Sequence, residues 1–237
     1  MNDIYEPKYV ETLFDKMSTS YSKMNYITSF GFSERWRKQC VKEVSIAKGK
    51  TTVDLMTGMG ECWAPILKNS NKYSKLIALD FSSEMILEAE KKKLKYKDYN
   101  IEVLKENIFN NSIPDHAADY VISGFGLKTF NNEQLEQLAF EINRILKPGG
   151  QFSLIDVSVP NSKIITPFYM FYLQRIVPLI GKLFLGNPET YKMLGIYTEA
   201  FKNADTLYNI FNVLYFQVDK VNYFYGCATG IKGRKTL

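Results

Sequence analysis

The sequence has 237 residues, of which 46% are hydrophobic and 23% charged, a composition that excludes a disordered or fibrous chain. This length suits one α/β domain with extensions. The formal net charge is +5 and is spread out apart from the run 91–97, which is weak for a nucleic-acid-binding protein. The three cysteines and the one histidine have no ligand or disulfide spacing, so we predict no metal site and a reducing compartment.

No stretch of the sequence is typical of an export signal or a membrane span. The first residues carry acids and no apolar run, so we expect no secretory signal. The most apolar stretch, 168–185, is interrupted by Gln174, Arg175, Pro178 and Lys182. A spanning helix needs about 20 largely apolar residues. We therefore expect a cytoplasmic protein.

The amino-terminal part of the sequence has the periodicity of helices. Within residues 7–47, apolar side chains such as Leu13 and Met17 recur at three- and four-residue steps. Gly31 breaks this pattern, and Ser33 is predicted to cap the helix that follows.

From residue 51 onward, short apolar runs alternate with helical patterns. The predicted strands are 51–56, 75–80, 101–104, 119–123 and 152–156, and the predicted helices are 61–68, 84–96 and 133–146. Ser82 or Ser83 is predicted to cap the second of these helices, in which Glu88 can pair with Lys92. Residues 161–200 are interpreted as an aromatic helical lid, and residues 211–228, including Tyr215, as strand-like. This alternation predicts a Rossmann-like α/β fold with a mostly parallel sheet and helices on both faces.

Ligands of such sheets bind beyond the carboxyl ends of the strands, near the point where the strand order reverses. The sequence therefore predicts one crevice around the strand ends, formed by Asp54, Gly58, Asp80, Asn107, Ser123 and Asp156.

The glycine turn after the first strand distinguishes two classes of nucleotide site. A dinucleotide enzyme needs Gly-x-Gly-x-x-Gly so that a pyrophosphate reaches a helix N-terminus. Here Gly58 and Gly60 are followed by Trp63 at the third glycine position. The indole is too bulky for the close packing that a dinucleotide requires, so a nicotinamide oxidoreductase is disfavoured.

S-adenosylmethionine has no phosphate and fits this turn better. Asp54 is placed to meet its ammonium group, while Gly58 and Gly60 let the backbone approach the ligand. Asp80 is placed to accept hydrogen bonds from both ribose hydroxyls, and Asn107 to accept one from the adenine amino group. The alternatives are that Asp54 only ties the turn, that Asp80 caps a helix and that Asn107 belongs to a polar loop. The remaining predicted cofactor-binding residues are Met56, Thr57, Phe81, Met85, Ile108 and Ser123.

Several motifs resemble those of the ubiquinone/menaquinone C-methyltransferases, class I S-adenosylmethionine-dependent enzymes. The resemblance covers about residues 13 to 201. The motifs are Phe14-Asp15 with Tyr21-x-x-Met24-Asn25, Gly31-x-x-x-x-Trp36, Asp54-Leu55-x-x-Gly58-x-Gly60-Glu61, Phe125-Gly126-Leu127-Lys128, Glu141-x-x-Arg144-x-Leu146-Lys147-Pro148-Gly149-Gly150 and the lid motifs Pro167-Phe168-Tyr169 and Pro178-x-x-Gly181-Lys182. The resemblance implies one methyltransferase domain over 1–237. It divides into an N-terminal helical cap (1–48), a cofactor-binding core (49–160), a lid insertion (161–200) and a C-terminal helix with strands (201–237).

The resemblance also implies that the acceptor is a ring carbon of a demethylmenaquinol or related quinol. Lys128-Thr129 replaces the family's Arg-Asn pair, and Ile231 stands where a histidine is usual. Two alternatives therefore stay open: a methyltransferase of the same fold with another small apolar or aromatic acceptor, and a non-catalytic cofactor-binding paralogue.

The candidate catalytic residues follow from the chemistry of methyl transfer, in which the acceptor must be aligned, shielded from water and made electron-rich. Lys128 can supply a cation or a base, Asp156 can orient the acceptor or act as base, and Tyr21 can offer a hydroxyl in an apolar pocket. Each has a structural alternative: a surface or cap lysine, a loop anchor and a core tyrosine. His116 is interpreted as a surface-loop residue and excluded from catalysis.

The predicted lid has the composition of a membrane-surface segment. Residues 164–173 are apolar and aromatic, and Arg175 and Lys182 follow them. Because a polyprenyl quinol partitions into the bilayer, we expect peripheral contact of the protein with the inner face of the membrane. Packing of the lid on its own core or on a second copy, as a homodimer, is the alternative.

Overall fold

The computed structural model describes residues 3–18, 21–185, 188–214 and 216–236, and these contain one seven-stranded sheet. Its order is β3-β2-β1-β4-β5-β7-β6, with β7 antiparallel to β5 and β6 and the other pairs parallel. The predicted mostly parallel sheet is confirmed. The strands are β1 Thr51–Leu55, β2 Lys75–Asp80, β3 Asn100–Lys105, β4 Ala118–Gly124, β5 Leu146–Val157, β6 Phe216–Tyr223 and β7 Ala228–Lys235.

Helices cover both faces of this sheet. They are α1 Pro7–Met17, α2 Tyr21–Thr28, α3 Phe32–Lys42, α4 Trp63–Leu67, α5 Ser83–Lys93, α6 Asn132–Ile145, α7 Ile165–Phe171, α8 Val177–Leu185, α9 Pro188–Phe201 and α10 Asp205–Val213. One buried cluster packs α6 and α10 on the sheet, and a second packs α3, α4 and α5 on the opposite face. A third cluster joins α1 to the lid helices α8 and α9.

The strand order fixes where a ligand site can form. β1 pairs with β2 on one side and with β4 on the other. The strands before and after this point are therefore added on opposite sides of β1, which makes it the point where the strand order reverses. Connections leaving the strands on either side of this point diverge and leave a crevice. The crevice predicted from the strand ends therefore lies at β1.

The helix that carries Trp36 begins earlier than predicted. Gly31, at φ 77°, is its N-cap, and Ser33 lies inside α3 rather than at its cap. The left-handed glycine reverses the chain directly after α2, which leaves no irregular residue between Gly31 and the helix. The Ser33 hydroxyl instead contacts the backbone oxygen of Asn25 at 3.3 Å and so joins α3 to α2.

Helices α4 and α5 are shorter than predicted, with α5 ending at Lys93. Ser82 caps α5 by accepting a hydrogen bond from the Met85 backbone. The predicted Glu88–Lys92 pair is wrong, because Glu88 pairs with Lys91. Lys92 points the other way and donates to the carbonyl of Gly60, which ties α5 to the turn after β1.

The carboxyl-terminal part is only partly strand. The prediction of strand over 211–228 is wrong for 211–213, because α10 extends to Val213, and for 224–226, which form a 3-10 turn between β6 and β7. Strand β6 begins at Phe216, and Tyr215 lies outside the described residues. Phe211 is fully buried and its ring centroid lies 5.0 Å from that of Phe152. Packing of this helix face on the sheet outweighs the β propensity of its aromatic residues.

The insertion between β5 and β6 is helical, as predicted. It contains α7, a π-helical turn over Tyr172–Ile176, α8 and α9. Within the described ranges, no helix combines the length and apolarity needed to cross a bilayer.

Candidate active site

A crevice lies at the carboxyl ends of β1 and β2, with about 880 Å³ of space when the open solvent at its mouth is included. Nine of the predicted cofactor-binding residues line it: Asp54, Met56, Thr57, Gly58, Asp80, Phe81, Met85, Asn107 and Ile108. Gly60 and Ser123 do not lie on this wall. The strand ends thus bring most of the predicted cofactor set together.

The turn after β1 is held by a hydrogen-bonded chain of three side chains. The Trp63 indole nitrogen donates to the Thr57 hydroxyl at 2.9 Å, and this hydroxyl donates to Asp54 Oδ2 at 2.5 Å. All three side chains are buried. The indole therefore does more than crowd the third glycine position, because it also orients the carboxyl group at the end of β1.

The two glycines of the turn serve the protein's own side chains. A Cβ on Gly60, at φ 79°, would lie 2.6 Å from two indole atoms of Trp63. A Cβ on Gly58, at φ 56°, would lie 3.0 Å from Glu61 Oε2. The expected reason for these glycines, approach of a ligand to the backbone, is not what the contacts show at Gly60, which makes room for the indole.

Asp80 shapes the loop between β2 and α5. Its Oδ2 accepts from the Gly58 backbone at 2.8 Å and its Oδ1 from the Ser82 backbone at 3.0 Å. Since Ser82 is the cap of α5, Asp80 is not the helix cap. Asp80 thereby joins the β1 turn to the end of β2 and presents its carboxyl group to the crevice.

Two buried carboxyl groups face the crevice in a poorly solvated environment. Burial raises the pKa of Asp54 to about 7, although the hydrogen bond from Thr57 opposes this shift. Burial also raises the pKa of Asp80 to about 6. A cationic or hydroxyl-bearing ligand would stabilise the ionised forms of both groups.

Ser123 and Asn107 differ from the simplest expectation. Ser123 is fully buried, and its hydroxyl has no hydrogen-bond partner among the residues the structure describes. Asn107 lines the crevice, but its Oδ1 already accepts from the Phe109 backbone at 2.9 Å. A ligand group at Asn107 would share this oxygen or use the amide nitrogen.

A second cavity adjoins the first beneath the lid, with about 1700 Å³ of space when the open solvent at its mouth is included. Its lining is mainly apolar and aromatic, with Tyr169 and Tyr172 from the lid and Leu13 and Met17 from α1. The two cavities share one wall, made of Phe14, Tyr21, Arg37, Phe125 and Thr129. Groups bound in the two cavities would therefore meet across a few side chains.

Lys128 and Asp156 form a buried ion pair at the floor of the second cavity. Lys128 Nζ lies 2.9 Å from Asp156 Oδ1 and 3.2 Å from the carbonyl oxygen of Phe125. Asp156 is completely buried and lines neither cavity, whereas Lys128 lines the second. Asp156 is thus placed to orient Lys128 rather than to touch a bound molecule.

Tyr21 belongs to the shared wall. Burial raises its pKa to about 12, so the phenol stays protonated near neutral pH. It can donate a hydrogen bond but is a poor base. The one histidine, His116, contacts the Leu146 carbonyl oxygen through its ring at the amino-terminal end of β5, whereas the crevice lies at the carboxyl ends of the strands.

Sequence reasoning did not assign Glu61 or Arg37 to the site. Glu61 lines the first cavity and Arg37 lines both. A signal for Arg37 exists, because a charged residue stands at helical spacing with the apolar Val41 and Val44 on the buried face of the α3 region. No comparable signal reveals how α1, through Val10, covers the first cavity.

Comparison with known proteins decides the family. A family model described as the ubiE/COQ5 methyltransferase family matches residues 1–234. The chain belongs to this family. It is therefore an S-adenosylmethionine-dependent methyltransferase, as the resemblance of its motifs predicted.

Curated relatives agree with this family membership, and a solved structure agrees with the fold. The chain is 32% identical over 217 residues to the demethylmenaquinone methyltransferase of Staphylococcus haemolyticus, with 92% of this chain and 89% of the relative covered. It is 32% identical over 212 residues to the enzyme of the same name from Listeria welshimeri, with 89% and 88% covered. A solved putative S-adenosyl-L-methionine-dependent methyltransferase from Methanococcus maripaludis superposes with a TM-score of 0.63 at 19% identity, covering 94% of each chain, which supports the class I methyltransferase fold.

Removal of the Asp80 carboxylate tests its place in the crevice. We expect Asp80→Ala to weaken affinity for S-adenosylmethionine by about 1–3 kcal/mol, through lost charged hydrogen bonds. Isothermal titration calorimetry measures this. Asp219→Ala, at an exposed acid of the edge strand β6, is the control and should leave affinity unchanged. Equal affinity of the Asp80 variant and the wild type would remove Asp80 from the site.

The raised pKa of Asp54 predicts a pH-dependent stability of the ligand-free protein. Because the folded state binds this proton more tightly than the unfolded state, the contribution of Asp54 to the free energy of unfolding falls as pH rises from about 4 to about 7. Asp54→Asn does not titrate. We therefore expect the melting temperature of this variant, relative to wild type, to be higher at about pH 8 than at about pH 5. The same difference at both pH values would contradict the shift.

Proposed function

We propose that this methyltransferase transfers a methyl group from S-adenosylmethionine to a ring carbon of a demethylmenaquinol-like quinol. The observation that carries the proposal is the shared wall between a crevice lined by acids and a larger apolar cavity. The names of the relatives support the same acceptor class.

The acid-lined crevice has the polar groups that the methyl donor needs. Asp54 would take the ammonium group, Asp80 the ribose hydroxyls, and the loop at Asn107 the adenine. The two buried carboxyl groups with raised pKa values support a ligand that carries positive charge and hydroxyl groups. When bound, S-adenosylmethionine supplies an electrophilic methyl group.

The second cavity would hold the acceptor ring and exclude water from it. Asp156 and the Phe125 carbonyl engage two of the three donors of the Lys128 ammonium group, so one donor is left for an oxygen of the acceptor. We propose that Lys128 stabilises the anionic oxygen formed when the phenol proton is lost to solvent. The ring carbon would then take the methyl group as S-adenosylhomocysteine leaves, and would lose its own proton to solvent as the ring regains aromaticity. Tyr21, protonated at neutral pH, would donate a hydrogen bond from the shared wall.

We also propose that the mouth of the second cavity meets the bilayer from which a quinol comes. Phe30 and Phe168 line this cavity and are 80% and 74% exposed, and Ile164 lies exposed beside them. Exposed basic residues, Arg175 and Lys182, lie in the same lid. Aromatic side chains flanked by bases suit contact with an anionic membrane surface. In this proposal the chain works as one domain, with residues 1–48 and 161–200 enclosing the site formed by 49–160.

Methyl transfer to a short-tailed demethylmenaquinol, kept reduced under anaerobic conditions, tests the proposal. We expect a C-methylated quinone after reoxidation, detected by mass spectrometry, and S-adenosylhomocysteine in equal amount. A phenol of similar size without the naphthalene ring is the matched control acceptor. Cofactor binding with methylation of the phenol alone would favour another aromatic acceptor, and binding without any product would favour a non-catalytic paralogue.

The proposed role of Lys128 makes a separate prediction. Lys128→Met should lower kcat by about 10²-fold or more, the typical loss for one preorganised oxyanion donor, while affinity for S-adenosylhomocysteine stays near that of wild type. Lys128→Arg keeps the cation opposite Asp156 and should lose much less. Because removal of Lys128 leaves a buried carboxylate unpaired, thermal denaturation must show that the Met variant is folded. Unchanged kcat in a folded Lys128→Met variant would refute the role.

A further inference from the structure

Arg37 has a buried guanidinium whose N–H groups have no hydrogen-bonding partner among the described residues. Its side chain belongs to α3, is 6% exposed, and lines both cavities. No hydrogen bond or ion pair joins it to any of the residues that the structure describes. Buried arginines are almost always paired, because five N–H donors and a full charge are costly to desolvate. A guanidinium left unpaired in a cavity wall indicates that a bound molecule supplies the partner.

The protein holds this guanidinium in place without using its donors. Its central carbon lies 4.7 Å from the centre of the Phe125 ring, a cation–π contact. Its stem runs along the backbone at Gly124, where an added Cβ would lie 3.3 Å from Arg37 Cγ and 3.1 Å from the Cys62 sulfur. Stacking and stem packing fix the group and leave its N–H edge available to a ligand.

The charges around Arg37 belong to the first cavity and to the turn after β1. Burial lowers the pKa of the Arg37 guanidinium, whereas the nearby acids Glu61 and Asp54 raise it. The Glu61 carboxylate is already engaged, because Oε1 accepts from the Ser22 hydroxyl at 2.9 Å and Oε2 from the Met59 backbone at 3.0 Å. Acids and a guanidinium therefore stand at one end of the crevice, near each other but not paired.

We propose that Arg37 binds the carboxylate of the amino-acid end of the methyl donor. The proposal rests on the proposed function, which places S-adenosylmethionine in this crevice. The amino-acid end carries an ammonium and a carboxylate on one carbon. Asp54 and Glu61 face the cationic half, and Arg37 supplies the planar pair of donors that fits the anionic half. The crevice thereby discriminates an amino acid from a plain amine.

The carboxylate of the donor explains Arg37 better than an oxygen of the acceptor does. A quinol presents single oxygens, for which Lys128 already has a free donor at the floor of the second cavity. Arg37 lies instead among the acids of the β1 turn, where the amino-acid end would be. A desolvated carboxylate offers two oxygens and a full charge, which match the bidentate guanidinium.

The test compares two ligands that differ only in the carboxylate. They are S-adenosylhomocysteine and its decarboxylated analogue, S-adenosyl-3-thiopropylamine, and calorimetry on the full chain gives both dissociation constants. We expect the wild type to bind the amino acid about 10- to 100-fold more tightly than the amine, as for a charged hydrogen-bonded pair. This comparison requires no variant and is independent of folding defects.

Arg37→Met then assigns that preference to the guanidinium. The variant should lose about the same 10- to 100-fold in affinity for S-adenosylhomocysteine and at most a few-fold for the amine, while Arg37→Lys should lose less than Arg37→Met. Arg35→Met, at an exposed arginine of the same helix, is the matched control and should change neither constant.

Any of four results would overturn the assignment. Equal losses for both ligands in Arg37→Met would mean that Arg37 only shapes the crevice. An unchanged affinity for S-adenosylhomocysteine with a raised KM for the quinol would place Arg37 on the acceptor side. If the wild type binds neither ligand, the proposed cofactor fails, and the proposal for Arg37 fails with it; tight wild-type binding with no effect of Arg37→Met refutes only the latter.

Discussion

The hydrogen-bonded chain from Trp63 through Thr57 to Asp54 is the contact on which the site depends. It joins the first turn of α4 to the carboxyl end of β1, the strand at which the sheet order reverses. Because an indole N–H only donates and the carboxylate only accepts, the hydroxyl between them has one satisfied arrangement. Gly60 is required by the same contact, since any Cβ there would overlap the indole. The turn is therefore set by internal packing before any ligand arrives.

Charge is left uncompensated around this turn. Asp54 and Asp80 are buried with raised pKa values, and Arg37 is buried without a hydrogen-bonding partner in the part of the chain that the structure describes. Each arrangement costs free energy in the ligand-free protein. Buried groups with perturbed pKa values cluster at functional sites, so these groups mark the surface where a zwitterionic nucleoside would be bound. A bound cation would lower the pKa of both carboxyl groups and so favour their ionised forms, which are the stronger hydrogen-bond acceptors.

The buried pair of Lys128 and Asp156 shows how a departure from the family's motif is accommodated. The Asp156 carboxylate is held by the Lys128 ammonium and also accepts from the Lys128 backbone N–H at 2.9 Å. A single cation here uses two donors internally and keeps one for the second cavity. The apolar cavity above it is closed by α1 and the lid helices, which pack on each other in one cluster. The first cavity is thus lined by acids at the strand ends and the second by the lid helices, and the two meet at one shared wall.

The sequence alone determined the alternation of strands and helices, because hydrophobic period and glycine turns are local properties. It also marked the acids Asp54 and Asp80, since a strand end is recognisable from its neighbours. It misplaced the start of α3 and the end of α10, where the left-handed Gly31 and the burial of Phe211 decided the outcome.

Only the tertiary structure brought Arg37, 17 residues before Asp54 in the sequence, to the same crevice, and only it separated Asp156 from the cavity. Burial and pairing depend on which elements pack together, and a one-dimensional pattern does not contain that information. Hydrophobic periodicity and turn residues can be read from the sequence, whereas the fold decides which charged group is left without a hydrogen-bonding partner.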